Sequence, residues 1–464
     1  MSLEGAIATQ RFGLGARPGE IARASANPKA WLLAQIAGPA PQPPAPPDGF
    51  ATAGRLVSEE EEYKAEKVKN KPAKAARQEA EAKGESVPPK PPKDNIRKEI
   101  WFAEMGARMA LGCTTDKPFA ERLVRFWSNH FTVSTAKRKV MTFAGSYERE
   151  AIRPHIAGSF EDMLFAVCMH PAMQIYLDNW HSIGPNSPAA QKGGGKKGLN
   201  ENLGRELMEL YSLGVDGGYS QADVIAMAKL LTGWGIYDGR PSGFGFNEAR
   251  HEPGEIVLRG KTYPAGWDGS VAAIKDLAHD PATAHHIATK FATHFIADDP
   301  PKESVARLEK VFNDTRGDLH ALSETVVKDA NAWHPELRKF RPPVEYVTAT
   351  LRAAGWNGDG ENRDKQMRRL LGAVRVMGEV PFAAPSPKGW DDNADAWAGS
   401  DALLDRIEWA KQFAQGLPDA NAARLAEDGL GPLLTPNTKS VLAKAGSKSE
   451  AVALLLASPE FQRR

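Results

Sequence analysis

The sequence predicts a mainly α-helical globular fold, a multi-helix array with a small β-hairpin element near residues 235–266. Apolar residues recur at helical spacing through most of 96–234 and 270–457. Only the segment 235–266 departs from this pattern. The 464 residues are 42% hydrophobic and 25% charged, which is enough apolar material to bury a sizeable core.

The first 95 residues divide into two parts. Residues 4–37 predict two short helices joined by a turn at 11–20, where glycines and a proline interrupt the apolar spacing. From 39 to 47 the chain is proline-rich, and from Glu59 to Glu81 acidic and basic residues alternate. That alternation favours either a charged, solvated helix held by i,i+4 pairs or no regular structure. The predicted units are N-terminal helices packing on the core at 1–37, a solvated insertion at 38–95, and a main helical domain at 96–464 that could divide again near 235–270.

A series of helices is predicted from Asn95 onward. The predicted bounds are Arg97–Leu111, Pro118–Thr132, Ala144–Ile156, Phe160–Tyr176, Asn200–Leu213, Ser220–Thr232, Ser270–Leu277, Pro281–Ile296, Glu303–Phe312, Leu319–Lys328, Pro343–Ala354, Asp364–Met377, Ala402–Gln415 and Asn437–Ala457. Ser220 with Asp223 three residues later forms a capping-box pattern. Phe244 and Phe246 alternate around glycines, and Ile256–Leu258 lies between two more, which predicts one or two small hairpins.

Charge and cysteine content exclude several classes of protein. Fifty-nine basic residues against 58 acidic ones leave a net charge of +1, so no basic surplus indicates nucleic-acid binding. Cys113 and Cys168 are too few for a disulfide framework, and no CxxC occurs. No stretch of ~18 apolar residues predicts a membrane span. The sequence as written predicts a cytoplasmic protein, with export possible if a signal peptide has been removed; whether the partner is a small molecule or a protein stays open.

The densest polar cluster lies on the predicted helix Asn200–Leu213. On a helical wheel the apolar side is formed by Leu203, Leu207, Leu210 and Tyr211. Asn202, Arg205, Glu206 and Glu209 share a stripe nearly opposite, with Glu201 to one side. A metal or substrate site needs such a shared face, because carboxylates covered by another element must be paired, protonated or metal-bound. A plain surface helix with an Arg205–Glu209 pair shows the same pattern, so both interpretations remain.

Three further places carry candidate side chains. His130 follows apolar residues at helical spacing, so it is either a core histidine with its hydrogen bonds satisfied or part of a site. Asp178 and His181 flank Asn179 where a helix gives way to a loop, a position that suits either function or capping. Trp234 and His251 border the glycine-rich aromatic segment, which could line a ligand groove or serve only in hairpin packing.

Many ordered segments of the chain resemble one bacterial family, catalogued as domain of unknown function 1800. They include Arg11–Gly13, Trp127–Phe131, Tyr147–Glu150, Pro171–Met173, Tyr176–Asn179, Asn200–Asn202, Arg205–Glu206, Leu213–Tyr219, Leu231–Trp234, Pro281–Ala284, Lys290 and Pro385–Trp390. The resemblance implies no agreed activity, and it implies export for many members. It also implies that the Asn200–Glu209 cluster, His130, Asp178 and Trp234 are recurring motif residues, which favours a site at that cluster.

Two functions are consistent with these residues. The first is a hydrolase-like or metal-dependent enzyme in which Glu206 and Glu209 act as an acid/base pair or as ligands of a divalent metal. His130 would complete that metal set, or His251 would take its place, with Asp178 beside it and the other cluster residues binding substrate. Those other residues are Asn200, Glu201, Asn202, Arg205, His181 and Trp234. The alternative is a non-catalytic binding or scaffold protein in which Arg205, Glu206 and Glu209 form a structural ion-pair network.

Overall fold

Helices make up most of the chain. A computed structural model describes residues 1–69, 72, 79–83, 96–192, 198–358, 362–417 and 419–464. The predicted mainly α-helical fold with a small β element is confirmed. No helix in these described ranges is both long enough and apolar enough to cross a membrane.

The helices of the first half are short on average. Their bounds are α1 Leu3–Ile7, α2 Glu20–Ser25, α3 Pro28–Leu33, α4 Ala53–Lys69, α5 Ile96–Thr114, α6 Pro118–His130, α7 Val140–Tyr147, α8 Phe160–Met169, α9 Pro171–Tyr176, α10 Pro188–Lys192, α11 Asn202–Glu206 and α12 Gln221–Leu230. The capping box predicted at Ser220 is present, with both of its hydrogen bonds to Asp223 formed.

The second half continues in the same way. The bounds are α13 Trp267–Ala278, α14 Pro281–Phe295, α15 Lys302–Asp314, α16 Leu319–Lys328, α17 Pro343–Ala353, α18 Arg363–Val376, α19 Ser400–Gln415, α20 Ala422–Gly429, α21 Pro436–Ala443, α22 Lys448–Ala457 and α23 Pro459–Gln462. The bounds of α16 coincide with the prediction, because Asp318 caps its start and accepts from the backbone N–H of Ala321.

Two antiparallel hairpins account for the predicted β element. β1 (Trp234–Ile236) pairs with β2 (Phe244–Phe246), so that Trp234 lies opposite Phe246. β3 (Ile256–Leu258) pairs with β4 (Lys261–Tyr263). Trp234 is fully buried and stacks on Trp267 of α13 at a ring-centroid distance of 5.0 Å, which holds the first hairpin on the helical core.

Three helices pass into π-helical turns at Ala8–Phe12, Glu148–Ile152 and Leu207–Tyr211. A π turn widens the helix by one residue and is frequent at functional sites. Because each turn follows directly on an α-helix, the side chains beyond it no longer keep the 100° spacing that the helical wheel assumes.

Several predicted helices differ from the structure. The span Phe160–Tyr176 is two helices, because Pro171 has no N–H to continue the first and His170 caps the second. Asn437–Ala457 is likewise divided, and Ser447 caps the second half. The predicted Ala144–Ile156 begins at Val140 and ends in a π turn and a 3-10 turn.

The N-terminal segments differ from their predictions as well. Residues 4–37 hold three α-helices and a π turn instead of two helices. The charged insertion is packed at its start, since Glu60 of α4 is buried and bonds Arg97 and Thr142 at 2.6–2.8 Å and 2.5 Å. Much of the predicted alternating run lies outside the described residues.

One hydrophobic core extends from α1 to α23, and buried arginines join its helices. Those that are fully buried are Arg11, Arg122, Arg153, Arg341, Arg352, Arg406 and Arg464. Arg352 shows the principle: it donates to Glu20 at 2.8 and 2.9 Å and to the backbone carbonyls of Gly15, Gly112 and Thr115. Buried charges require such partners, because desolvation is costly unless every donor is bonded.

Candidate active site

A cavity of about 400 Å³ opens between α6, α14, the start of α17 and the chain segment 379–392. Ligand pockets of enzymes are commonly of this size and hold a few convergent polar groups. The polar residues that line it are Arg108, Arg125, Ser128, Asn129, His130, Thr132, His286, Thr289, Lys290, Thr293, His294, Glu345, Glu379, Lys388, Asp391 and Asp392.

One wall of the cavity is a loop that docks on the end of α6. The Asn129 side-chain amide donates to the Trp390 carbonyl and accepts from the Trp390 N–H, each at 2.8 Å. Gly389 makes this close approach possible. Its φ is +87°, and a Cβ there would lie 2.4 Å from the Asn129 carbonyl oxygen. The loop therefore needs glycine both for its conformation and for the space.

Asp392 lines the cavity and is bound by a histidine, an arginine and a lysine. Its Oδ2 lies 2.5 Å from His294 Nδ1, Arg464 Nη2 lies 3.4 Å from Oδ1, and Lys339 Nζ lies 3.5 Å from Oδ1. Burial opposes ionisation, but His294 and Lys339 outweigh it and hold the pKa of Asp392 well below its usual range. Asp392 is therefore an ionised anchor with its charge already balanced.

Glu345, at the start of α17, is anchored in a similar way. Arg122 donates to its two oxygens at 2.8 and 3.1 Å, and Arg464 Nε lies 2.9 Å from Oε2. These arginines overcome burial and keep the pKa of Glu345 well below its usual range. Arg122 also lies 3.4 Å from His294 Nε2, so both ring nitrogens of His294 already have partners.

Glu379 is the cavity carboxyl without a cationic partner among the described residues. Its Oε2 accepts from the backbone N–H of Val344 at 2.7 Å, and Oε1 has no hydrogen-bond partner in the described part of the chain. Burial, reinforced by the charge of nearby Glu345, raises the pKa of Glu379 to about 7, against the opposing effect of Arg125 and Arg108. A carboxyl that exchanges its proton near neutral pH is suited to general acid/base chemistry.

Two cavity cations also lack a counter-ion of their own. Lys290 of α14 forms no hydrogen bond or ion pair with any described residue, and burial lowers its pKa to about 8. Arg125 of α6 is buried, and its Nε and Nη2 have no hydrogen-bond partner among the described residues. The carboxylate nearest to Arg125 is Glu121, 4.0 Å away, and Glu121 is already bonded to Arg153 at 2.6 and 3.0 Å.

His130 lines the cavity from the side of the predicted polar helix. Its Nε2 donates to the Tyr211 carbonyl at 3.2 Å, and His286 Nε2 donates to the neighbouring Leu210 carbonyl at 3.1 Å. These carbonyls end the π turn Leu207–Tyr211. Burial lowers the pKa of His130 well below its usual value and that of His286 to about 4, so both rings are neutral donors.

Glu206 and Glu209 do not line this cavity. Burial, with the charge of Glu209 added, raises the pKa of Glu206 to about 7. Neither side chain forms a hydrogen bond or ion pair with a described residue. Arg205 pairs with Glu201 at 3.0 Å and with Gln221 at 2.9 Å instead of with Glu209. The predicted network of Arg205, Glu206 and Glu209 is therefore not formed in this part of the chain.

The metal set predicted from Glu206, Glu209 and His130 is not assembled. In the residues that the structure describes, no three His, Cys, Asp or Glu side chains are placed to hold a metal ion. The physical reason is the direction of His130, whose ring is enclosed at 1% exposure and bonded to the backbone of the helix that carries both glutamates. The two carboxylates remain half-buried on that helix.

Asp178 and its neighbours lie away from the cavity and are engaged locally. Asp178 has φ +59° and forms an ion pair with Lys137 at 2.5 Å. Asn179 is buried and donates to Gln174 and to the Leu231 carbonyl at 3.0 and 3.2 Å. The His181 ring lies against Trp180, with 3.7 Å between ring centroids.

The remaining predicted residues have structural contacts. His251 has both ring nitrogens engaged, Nδ1 with the Thr232 carbonyl at 2.8 Å and Nε2 with the Gly266 N–H at 2.7 Å. Trp234 is buried in the hairpin core, while Asn200 and Asn202 bond each other in the turn before α11.

The comparison with family models gives one match, described as a protein of unknown function (DUF1800), over residues 7–463. The chain belongs to this family. The comparison with curated proteins and the comparison with solved structures each found no match. These comparisons therefore assign no activity to the cavity of this DUF1800 protein.

Sequence analysis missed most of the charged residues of this DUF1800 cavity. Glu379, Lys290 and Arg125 come from three regions, and each has an ordinary surface or helical pattern in its own segment. Two signals were available in the family motifs, since Lys290 and Pro385–Trp390 both occur there. Nothing in the order of residues indicated that they would meet beside His130.

Proposed function

We propose that this protein is an enzyme that transfers protons in the cavity between α6, α14 and α17, with Glu379 as the general acid/base. This keeps the hydrolase-like acid/base function expected from the sequence and moves its centre away from the Asn200–Glu209 face. The observation that carries the proposal is Glu379: it is a half-buried carboxyl lining the cavity, with one backbone donor, no ion pair among the described residues, and a pKa raised to about 7 by desolvation.

The unpaired charges of the cavity favour an anionic substrate. Glu345 and Asp392 are already paired with arginine and lysine, and Lys388 pairs with Asp391 at 2.5 Å. Lys290 and Arg125 are the lining cations left without a carboxylate of their own among the described residues. A carboxylate or phosphate group supplies the missing counter-charge, and a guanidinium suits it especially well.

Glu206 supports a second, weaker candidate for the acid/base group. Its pKa is also raised to about 7, and it carries no ion pair to a described residue. Glu206 lies outside the cavity that holds the unpaired cations, so an anionic substrate bound beside Glu206 would not contact Lys290 or Arg125. No metal at Glu206 is needed for this function. If the cavity proves inactive, the scaffold function remains.

Metabolite profiling tests the proposal without a known substrate. Purified protein is incubated with small molecules extracted from bacterial cells, and mass spectrometry follows which compounds fall or rise against heat-denatured protein. We expect at least one anionic compound to be consumed. Glu379→Gln should slow that consumption by ~10²-fold or more, the usual contribution of a positioned acid/base group.

Glu206→Gln is the matched control, because it removes a carboxyl with the same raised pKa outside the cavity. It should leave consumption within about threefold of the wild type. No change in any compound with wild-type protein would reject the enzyme. Loss of consumption in Glu206→Gln with normal consumption in Glu379→Gln would move the site back to the Asn200–Glu209 helix.

A further inference from the structure

We propose that Lys290 forms a covalent imine with the carbonyl group of a small oxo acid bound in the cavity. This inference rests on the proposed function, because it takes the same cavity as the active site. It adds a nucleophile to the acid/base group and narrows the substrate from an anion to an anion that also carries an aldehyde or ketone.

The position of Lys290 on α14 supports this role. His286, Lys290 and His294 are four residues apart, so they follow one stripe of the helix, and all three line the cavity. The two histidines of the stripe are engaged, one with the Leu210 carbonyl and the other between Asp392 and Arg122. Lys290, between them, is the member whose polar group is left without a described partner.

The other lysines near the cavity are occupied. Lys388 pairs with Asp391 at 2.5 Å, and Lys339 is fully buried between Asp298 and Asp392. An ammonium group held by a carboxylate keeps its proton and is a poor nucleophile. Lys290 therefore combines access to the cavity with the absence of such a carboxylate among the described residues.

The groups that face Lys290 favour loss of its proton. Burial is the largest effect and Lys388 adds repulsion, while Asp392 acts in the opposite direction, which leaves a pKa of about 8. His130 and His286 also lie close, and both are neutral rings that add no positive charge. Lysines that act as nucleophiles are commonly activated by burial and by a neighbouring cation.

The reaction is balanced with these groups alone. The neutral amine of Lys290 attacks the carbonyl carbon; the nitrogen gives up one proton and the carbonyl oxygen takes up one, which gives a carbinolamine. The nitrogen then loses its remaining proton, the hydroxyl group is protonated and leaves as water, and a C=N bond forms. One amine and one carbonyl thus give one imine and one water. Glu379 is the cavity acid that can supply and recover the proton, and Arg125 can bind the carboxylate of the oxo acid.

Reductive trapping tests the imine directly. The full-length protein is mixed with pyruvate and sodium cyanoborohydride at pH 7, where hydride transfer converts the C=N bond to a stable secondary amine. Intact mass should show one reduced pyruvyl group per chain, and peptide mapping should place it on Lys290. Because each unit of pKa changes the neutral fraction of an amine tenfold, we expect Lys290 to exceed lysines of ordinary pKa by at least ~10-fold. Lys139, whose pKa burial also lowers to about 8, is the internal control: it lies outside the cavity, has no Arg125 beside it to bind the pyruvate carboxylate, and should be labelled less than Lys290.

Matched probes and variants separate the contributions of the carbonyl group, the carboxylate and Lys290 to the labelling. Acetone has a ketone but no carboxylate and should label Lys290 less than pyruvate does. Acetate has a carboxylate but no ketone or aldehyde and should not label the protein. Lys290→Arg should abolish the adduct while keeping the positive charge, and Lys388→Arg should retain it. Circular dichroism of each variant confirms that it folds.

Two results would overturn the imine: labelling spread evenly over exposed lysines, or an unchanged adduct in Lys290→Arg. Neither result affects the metabolite experiment, which depends on Glu379. Loss of consumption in Glu379→Gln without a Lys290 adduct therefore rejects the imine and leaves the enzyme. An adduct on Lys290 with no compound consumed by the wild type supports a reactive lysine and rejects the proposed turnover.

Discussion

Burial acts on Glu379 and Lys290 with opposite effects on their pKa values. Removing a charge from water disfavours the ionised form, so the pKa of the carboxyl rises to about 7 and that of the amine falls to about 8. Both groups therefore exchange protons close to neutral pH. Asp392 and Glu345 are in the same cavity wall, but arginine and lysine partners keep them ionised. At the scale of single residues, the presence or absence of a counter-ion separates reactive groups from anchors.

The raised pKa of Glu379 predicts a pH-dependent cost in stability. Its folded-state pKa of about 7 lies above the ordinary value of 4.5, so the folded state holds this proton more tightly than the unfolded chain does. The stabilisation that this provides is complete below about pH 4.5 and is lost as the pH rises through 7. Between pH 5 and 8 the wild type should therefore lose stability relative to Glu379→Gln, by an amount on the order of 2 kcal/mol.

Urea denaturation of both proteins at pH 5 and pH 8 measures this difference. Glu255→Gln is the control, because Glu255 is exposed and its replacement should track the wild type at both pH values. A constant difference between wild type and Glu379→Gln would mean that Glu379 is ionised in the folded protein throughout this range.

At the scale of elements, the sequence pattern predicted those helices whose ends and apolar spacing depend on one segment alone. The helix Leu319–Lys328 was predicted residue for residue, because its cap and its apolar spacing are both local. In the polar stripe of Asn202–Glu209, the polar side chains are exposed or half-buried, while Leu203 and Leu207 are buried. The wheel could not include the π turn at Leu207–Tyr211, and it could not show that His130 would bond the carbonyl end of that turn. Glu379 and Lys290 could not be found in this way, because neither has a local signature.

The loop that carries Trp390 provides a test at this scale. Gly389→Ala should destabilise the protein by roughly 1–3 kcal/mol and detach the loop, because it combines a positive φ with a Cβ 2.4 Å from the Asn129 carbonyl oxygen. Gly378 also has a positive φ, +95°, but a Cβ there would meet no atom within 4 Å, so Gly378→Ala should cost about 1 kcal/mol. Gly399→Ala meets no atom within 4 Å at an ordinary φ and should be nearly neutral.

Thermal denaturation gives the stability order, and Trp fluorescence reports whether the loop with Trp390 has moved. Equal losses at Gly389 and Gly378 would mean that backbone strain alone sets the cost. In that case the close contact with Asn129 does not hold the cavity wall.

At the scale of the whole molecule, buried arginines connect helices that are far apart in sequence. Arg153 joins Glu121 and Glu148 at 2.6–3.0 Å, and Glu148 also accepts from Arg108 at the edge of the cavity. Such ion pairs fit the structural network proposed in the scaffold alternative, but they lie elsewhere than the Asn200–Glu209 helix. Sequence analysis could not locate them, because each arginine has an ordinary charged pattern in its own helix and becomes buried only when the helices pack.

Arg153→Met should cost about 3–5 kcal/mol, because it leaves two carboxylates buried without their shared cation. Arg424→Met is the control: Arg424 is 80% exposed, its Asp428 pair is 3.6 Å long, and its loss should stay within about 0.5 kcal/mol. Equilibrium urea unfolding compares the two variants. Similar small losses in both would mean that the core tolerates these carboxylates unpaired.

The central claim is that substrate binds in the cavity beside Glu379, Lys290 and Arg125. The most direct measurement is a crystal structure of Glu379→Gln soaked with the compound that the wild type consumes, since the slowed variant should retain it. We expect density for that compound in the cavity, with its anionic group within hydrogen-bond distance of Arg125 or Lys290. Density on the half-buried face of Glu206 and Glu209, with an empty cavity, would contradict it.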